Sequence, residues 1–327
     1  MRRIFFFWIL SLIIGEMLRE DELELSSGIA TRCLLKNAWY LSSSDFHYGY
    51  VFLHGSRVED VGEGDPLPEY ELAELVYDFE GDALIVHGYS LIVDIVEYVV
   101  RGMENIDLSV FTDEELRKLA NVGLVNAYMN GVTVPVAKTR YSKIVADVAR
   151  ENAMRVGLLA ERGTVSRNPF TVLLEVDSGW LYFEDKRLGE YSSMVCKPYE
   201  VRETCILVDA RGYGNITTAI ENVYSYTRSP ELAFRLLTNF YRIADIDNGF
   251  VERRSASDII VYDLKNPLKS MPITSEKDLY SLLARSQQPD MVFIGGEIFY
   301  EHGENLAIPV VKINELLKRR IATIKHE

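Results

Sequence analysis

Between Cys33 and Gly64 apolar and polar positions alternate through CLLKNAWYLS and then YGYVFLHGSRVEDVGEG, with a tight corner at His54-Gly55. Alternation of this kind marks half-exposed strands, so the opening predicts a small antiparallel sheet. Pro66 and Pro68 mark a linker, and VYDFEG reads as one more short strand running up to Gly81. After Asp82 the period changes. ALIV is a continuous apolar run of the type that fills a parallel sheet. Thr112 and Glu115 have the spacing of a capping box, ahead of one apolar stripe of Leu116, Leu119, Ala120, Gly123, Leu124, Ala127 and Tyr128. Gly131 ends that helix and VTVPVA resumes a strand; a second helix over 141–152 leads into the strand MRVGLLAE. The βαβαβ rhythm implies a right-handed, parallel arrangement.

The rhythm then breaks. TVLLEV, the turn DSG and WLYFED form a hairpin pattern with no helix between its strands. TCILV is a buried strand, followed by the loop DARGYGN, a helix over 216–226, and another that starts at Ser229-Pro230 and runs through Ile243. The tail returns to β: SASDIIVYDL is a strand, SEKDLYSLLARS a capped helix, and DMVFIGGEIFYEHGE a hairpin turning on Gly295-Gly296. KINELLKRRIATIKHE closes the chain as an amphipathic helix with its basic residues late, where the helix dipole favours them.

The first residues stand apart. Arg2 and Arg3 precede the apolar run Ile4 to Ile14, which resembles a signal peptide but lacks a small-x-small cleavage site. It is too short for the roughly 20 apolar residues that cross a bilayer. Two readings stay open: a genuine anchor or signal, giving a membrane-associated or exported protein, or an extraneous extension ahead of Met17, giving a cytoplasmic one. Residues 1–27 therefore carry no weight in the fold. The formal net charge of −14 argues against nucleic acid, whose phosphates need clustered Lys and Arg. Cys33, Cys196 and Cys205 have no CxxC spacing, which points to buried thiols rather than a disulfide framework or a zinc knuckle.

Four places resemble one family, the amidohydrolase superfamily, nearest to its deaminase and chlorohydrolase branch. LLKNAWYLSSSDFHYGYVFLHGSRVEDVGEG is similar to that family's opening strands; HGYSLIVDIVEYVVRG stands where the family has P-G-F-x-x-x-H-x-H-x-x-x-x-x-x-R-G; FTDEELRKLANVGLVNAYMNGVTV resembles the helix leading to its S-G-T-T-T strand; RSASDIIVYDL with DMVFIGGEIFYEHGE is similar to its closing strands. The resemblance implies an α/β fold: a shortened or incomplete (βα) barrel over 82–256, a small β sandwich built from 28–81 and 257–315, and a helix end at 316–327. The stretch from Leu84 to Asp209 is too short for seven successive βα units of roughly 30 residues each. Five or six parallel strands are expected, with an exposed edge that a second copy or a partner subunit would cover.

Chemistry in that family needs metal ligands at the C-terminal ends of barrel strands, where zinc or a similar ion activates a water. The first-strand histidine pair transfers to Val93 and Ile95, which are not ligands. His87 is the one histidine between residues 83 and 260, and Asp209, ending CILVD, resembles the family's last ligand. The leading expectation is thus a homologue without the usual metal chemistry, acting as a binding or oligomer-forming protein for a small molecule. The alternative is a hydrolase of C–N bonds, a cyclic amidohydrolase or deaminase, working with a single or atypical metal site or with none, with Asp209 and His87, joined by Glu161, as the converging ligands. Lesser candidates are Asp94 with Glu97, spaced to share a helix face; the ARGYGN loop, where Gly212, Gly214 and Arg211 could receive an anion; and the sequon Asn215-Ile216-Thr217, meaningful in a secreted chain.

Overall fold

The computed structural model describes residues 31–43, 45–101, 107–165, 168–213, 215–265, 273, 275–285 and 287–306, with Glu315, Lys318 and Arg320. Residues 1–27, with the apolar run Ile4 to Ile14, and most of the closing helix lie outside these, as does Gly214. In chain order the first five strands are β1 (Arg32–Leu41), β2 (Phe46–His54), β3 (Arg57–Glu63), β4 (Leu75–Asp78) and β5 (Ala83–His87). The next unit holds β6 (Leu91–Val93), α1 (Asp113–Met129), β7 (Val136–Ala137), α2 (Ser142–Glu151), β8 (Val156–Glu161), β9 (Thr171–Asp177), β10 (Trp180–Phe183) and β11 (Lys186–Glu190). It continues through α3 (Tyr191–Met194), β12 (Val195–Cys196), β13 (Leu207–Asp209), α4 (Ile216–Thr227) and α5 (Pro230–Ile243). The last elements are β14 (Ile259–Asp263), α6 (Glu276–Ala284), β15 (Met291–Ile294), β16 (Glu297–Glu301) and β17 (Glu304–Asn305).

The two chain ends meet in one nine-stranded sheet, ordered β17-β16-β15-β14-β5-β1-β2-β3 with β4 on β1. The run Ala83–His87, read from the sequence as the first barrel strand, belongs to this sheet. It lies between β1, which it meets in parallel, and β14, which it meets antiparallel. All five of its residues are buried, Leu84 and Val86 in one apolar cluster and Ala83 and Ile85 in another. A continuous apolar run reports burial on both faces and not which sheet provides it. β4 pairs with β1 in parallel, against the antiparallel expectation.

The first barrel strand is β6. Six parallel strands, ordered β9-β8-β7-β6-β13-β12, are extended past β9 by antiparallel β10 and β11, giving an open, curled half-barrel. The predicted hairpin is β9 and β10, and it displaces the βα units that would complete a full barrel. One edge, β12, is two residues long; the other, β11, exposes Lys186, Arg187 and Glu190, charges that discourage strand addition.

The outer face of the half-barrel packs on α1, α2 and α4. α1 starts at the capping box of Thr112 and Glu115 and buries the predicted stripe. Gly123 sits where a Cβ would come within 2.0 Å of the Ile95 carbonyl oxygen, so α1 approaches the loop after β6 at backbone distance. The concave face is filled from inside by α5: Phe240, Tyr241 and Ala244 pack with Ile92, Val136, Leu159, Leu174 and Leu207. α5 begins as expected, with Ser229 as N-cap and Pro230 in the first turn.

Cys196 and Cys205 form a disulfide with Cα atoms 5.9 Å apart, which corrects the expectation of three buried thiols. Only Cys33 is free, and burial pushes its thiol up to about 12. The bond ties the short edge strand β12 to the loop entering β13. Disulfides belong to oxidising compartments and to intracellular proteins of hyperthermophiles. No described helix is long and apolar enough to cross a membrane.

Gly123→Ala should lower stability by about 1–3 kcal/mol, read as the midpoint of a denaturant titration, because α1 must move off the Ile95 carbonyl; an unchanged midpoint would contradict the close approach. Alkylation of the denatured, unreduced chain should label one cysteine, and three after reduction.

Candidate functional site

Register decides which side chains of the half-barrel face inward, because neighbours in register share a face. Ile92 pairs with Asp209 and Val136, Val136 with Gly157, and Leu159 with Leu174, all on the concave side. Val93 and Ile95, to which the resemblance carries the two metal histidines, pack instead in the cluster shared with the outer helices. The inward position of β6 is therefore Ile92, one residue away from the transferred one, and it too offers no ligand.

One layer above the apolar filling, at the C-terminal ends of the parallel strands, the concave side becomes charged. Lys197 follows β12, Asp209 ends β13, and Lys138 follows β7. Asp209 is nearly buried, its side chain 6% exposed. The Arg211 guanidinium grips it in a fork, Nε donating to Oδ1 at 3.0 Å and Nη2 to Oδ2 at 2.9 Å, while the Arg211 amide donates to Oδ1 at 3.1 Å. Lys197 Nζ adds a bond to Oδ2 at 3.2 Å. Burial pushes the Asp209 carboxyl up, but these cations outweigh it and hold the group below its ordinary value. The bonds to Asp209 raise Arg211 in turn. Arg211 Nη1 reaches the Lys138 carbonyl at 3.1 Å. Lys138 Nζ lies 4.7 Å from the Tyr191 ring centroid and donates to its hydroxyl at 2.5 Å.

The other expected residues are spread out. Asp94 accepts from the Gly212 amide at 3.2 Å and pairs with Arg101 at 3.5 Å. It is on the wall of a cavity of about 320 Å3, which Tyr98, Asn126 and Asn215 also line and which His87, Glu161 and Asp209 do not. Asp94 and Glu97 share no α-helix face; a 3-10 turn begins at Tyr98, and Glu97 accepts from the Thr139 hydroxyl. Glu161 is exposed at the end of β8. In the ARGYGN loop the Gly212 amide and Arg211 serve Asp94 and Asp209 rather than an anion. Asn215 of the sequon is the N-cap of α4, its side chain accepting from the Thr217 amide.

His87 lies at the other end of β6, in a separate network. It is fully buried, with Nδ1 against the Gly88 carbonyl at 3.1 Å and Nε2 against Asp247 Oδ2 at 3.1 Å. Asp247 also accepts from the amides of Gly249 and Ala256, each at 2.7 Å. Burial disfavours protonating His87, yet the facing carboxylate outweighs it and raises the ring's pKa; burial likewise opposes ionisation of Asp247, and His87 with the two amides brings it down to about 2. Beside them Asp258, fully buried, takes Arg155 Nη1 at 2.7 Å and the Tyr241 hydroxyl at 3.0 Å on one oxygen. The Gly295 amide donates to its other oxygen at 2.9 Å. Asp247, Asp258, Arg155, Lys138 and Lys197 were not singled out by the sequence; the one available signal was Asp258 within the quoted SASD motif.

The described residues do not offer the donor set of a zinc site. Zinc in a catalytic site takes three protein ligands, and among the described residues no group of three or more His, Cys, Asp or Glu is placed to hold a metal ion. The structure does not bring His87 and Asp209 into one cluster, and both oxygens of Asp209 face cations that would repel an ion.

No protein-family profile and no curated protein matches the sequence. Solved structures do. A zinc-bound adenosine deaminase from Xanthomonas campestris matches at a TM-score of 0.64 and 9% identity, over 91% of this chain and 99% of that one. Atrazine chlorohydrolase from Arthrobacter aurescens TC1 complexed with zinc matches at 0.61 and 10%, over 88% and 100%. An amidohydrolase from a Sargasso Sea environmental sample matches at 0.64 and 11%, over 90% and 99%. The chain has the amidohydrolase-superfamily fold.

The His87–Asp247 pair predicts a pH dependence. Asp247, with a depressed pKa, contributes stability that is present above about 4 and is lost as pH falls towards 2; His87, with a raised pKa, contributes stability present below about 6.5 and lost as pH rises through its folded value. Chemical denaturation from pH 2 to 9 should show this contribution greatest between about 4 and 6.5. Asp247→Asn should flatten the difference and cost about 3–5 kcal/mol there.

Proposed function

We propose that this amidohydrolase-fold chain is a non-catalytic homologue, a binding protein in which a fixed ion-pair centre stands at Asp209, the position that resembles the family's last metal ligand. The observation that carries the reading is the occupation of Asp209: Arg211 and Lys197 hold both carboxylate oxygens. A metal ion at the end of a barrel strand supplies positive charge to an inward carboxylate. Here a guanidinium and an ammonium supply it from within the chain, through charge-assisted bonds that leave no lone pair directed at an open coordination position. The apolar packing of α5 against the concave face beneath the rim supports the same reading, since it fills with side chains the space below the charged layer.

The alternative, a hydrolase of C–N bonds with a single or atypical metal, takes its support from the neighbours, which are a deaminase and a chlorohydrolase. It requires Asp209 to leave Arg211, and ligands to come from residues that lie in other networks.

Elemental analysis after incubation with zinc, manganese or iron and exhaustive dialysis should find each metal well below one equivalent per chain. Near-stoichiometric metal that Asp209→Asn removes would overturn the proposal and favour the hydrolase.

A further inference from the structure

The ion-pair centre leaves one cation over. Arg211 and Lys197 are both spent on Asp209, but Lys138 has no carboxylate within ion-pair distance among the described residues. Its ammonium meets the hydroxyl and ring of Tyr191. Lys138 is half-buried and Tyr191 packs against the concave-face cluster, so the ammonium stands at the inward rim and not on the outer surface. A half-buried cation without a counter-ion is unfavourable; Arg211, which donates to the Lys138 carbonyl, shares Asp209 with Lys197 and has Asp94 as its one further facing carboxylate among the described residues. In a chain of net charge −14 this is a local excess of positive charge. The rim is reachable from solvent, since the Lys197 side chain is 38% exposed and that of Arg211 27%.

We infer that the rim is an anion seat: Lys138 Nζ and the Tyr191 hydroxyl receive a carboxylate or phosphate group of a small molecule, with Arg211 and Lys197 supplying the surrounding positive field. The hydroxyl can turn to donate to an anion once Lys138 does, and Arg211 is fixed by Asp209 in advance, so little ordering accompanies binding. The inference rests on the metal-free reading above, and adds to it the class of ligand.

The experiment uses the full chain, titrated by calorimetry with sodium phosphate and separately with sodium acetate against sodium chloride at matched ionic strength. Each titration is done on protein as purified and on protein treated with EDTA and then dialysed free of it. Saturable binding of either anion is expected, the stronger of the two identifying the group recognised. Lys138→Met should weaken it by about tenfold or more, the scale of one lost charged hydrogen bond, and Tyr191→Phe, which keeps the charge, should weaken it less. Lys186→Met on the exposed edge of β11 should leave it unchanged. No saturable binding of either anion, or equal binding in Lys138→Met, would overturn the seat and leave the metal-free reading standing. Binding present before that treatment and lost after it would overturn that reading itself.

Discussion

Asp258 is the point on which the two halves of the molecule depend. Its carboxylate holds Arg155, the residue before β8, Tyr241 from the helix inside the half-barrel, and the Gly295 amide from the turn of the closing hairpin. Its backbone carbonyl accepts from Gly88, between β5 and β6. A fully buried carboxylate is tolerated only when every lone pair is used, and here each partner arrives from a different element. Moving any of the four segments would strand a charge. The His87–Asp247 pair lies alongside, its ring 4.3 Å from that of Tyr241, so the junction between sheet and half-barrel is fixed by charges and not by apolar packing alone.

This arrangement separates the two ends of the half-barrel by role. The end where the strands begin is closed and held by a satisfied network. The end where they finish carries Asp209, Arg211, Lys197 and Lys138, partly open to water. Activity on barrel folds belongs to the second end. His87 drew attention in the sequence as a lone histidine near a strand end, but it serves the first.

Much of the fold was legible because local chemistry agrees with it. The Thr112–Glu115 box, the Ser229-Pro230 start and the DSG turn each specify an element by their own geometry. The sequence misled where a signal is shared by two structures. Ala83–His87 is apolar enough for a barrel strand and serves instead in the composite sheet. The one-residue offset between Val93 and Ile92 is invisible without strand partners, yet it decides which side chains face the barrel interior. Asp209 was named for its resemblance to a metal ligand and Arg211 as the cation of a candidate anion loop, while the ion pair that joins the two was not read from the sequence. The Cys196–Cys205 bond crosses a loop whose closure no spacing rule signals, and the ion pairs of Asp247 and Asp258 join residues far apart in the chain.

The position of β5 has a consequence for how the chain reaches its native state. Its neighbours in the sheet are β1, from the start of the chain, and β14, from beyond the whole half-barrel. During synthesis the parallel strands emerge and can collapse on their helices while β5 still has one side unpaired. Only when β14 to β16 leave the ribosome is that edge covered and Asp258 delivered to its partners. Long-range pairing of this kind is slow to form, and an unpaired strand edge invites association with other chains. Biogenesis of this protein therefore contains a vulnerable interval set by the strand order, during which a chaperone would have an apolar, half-paired strand to protect.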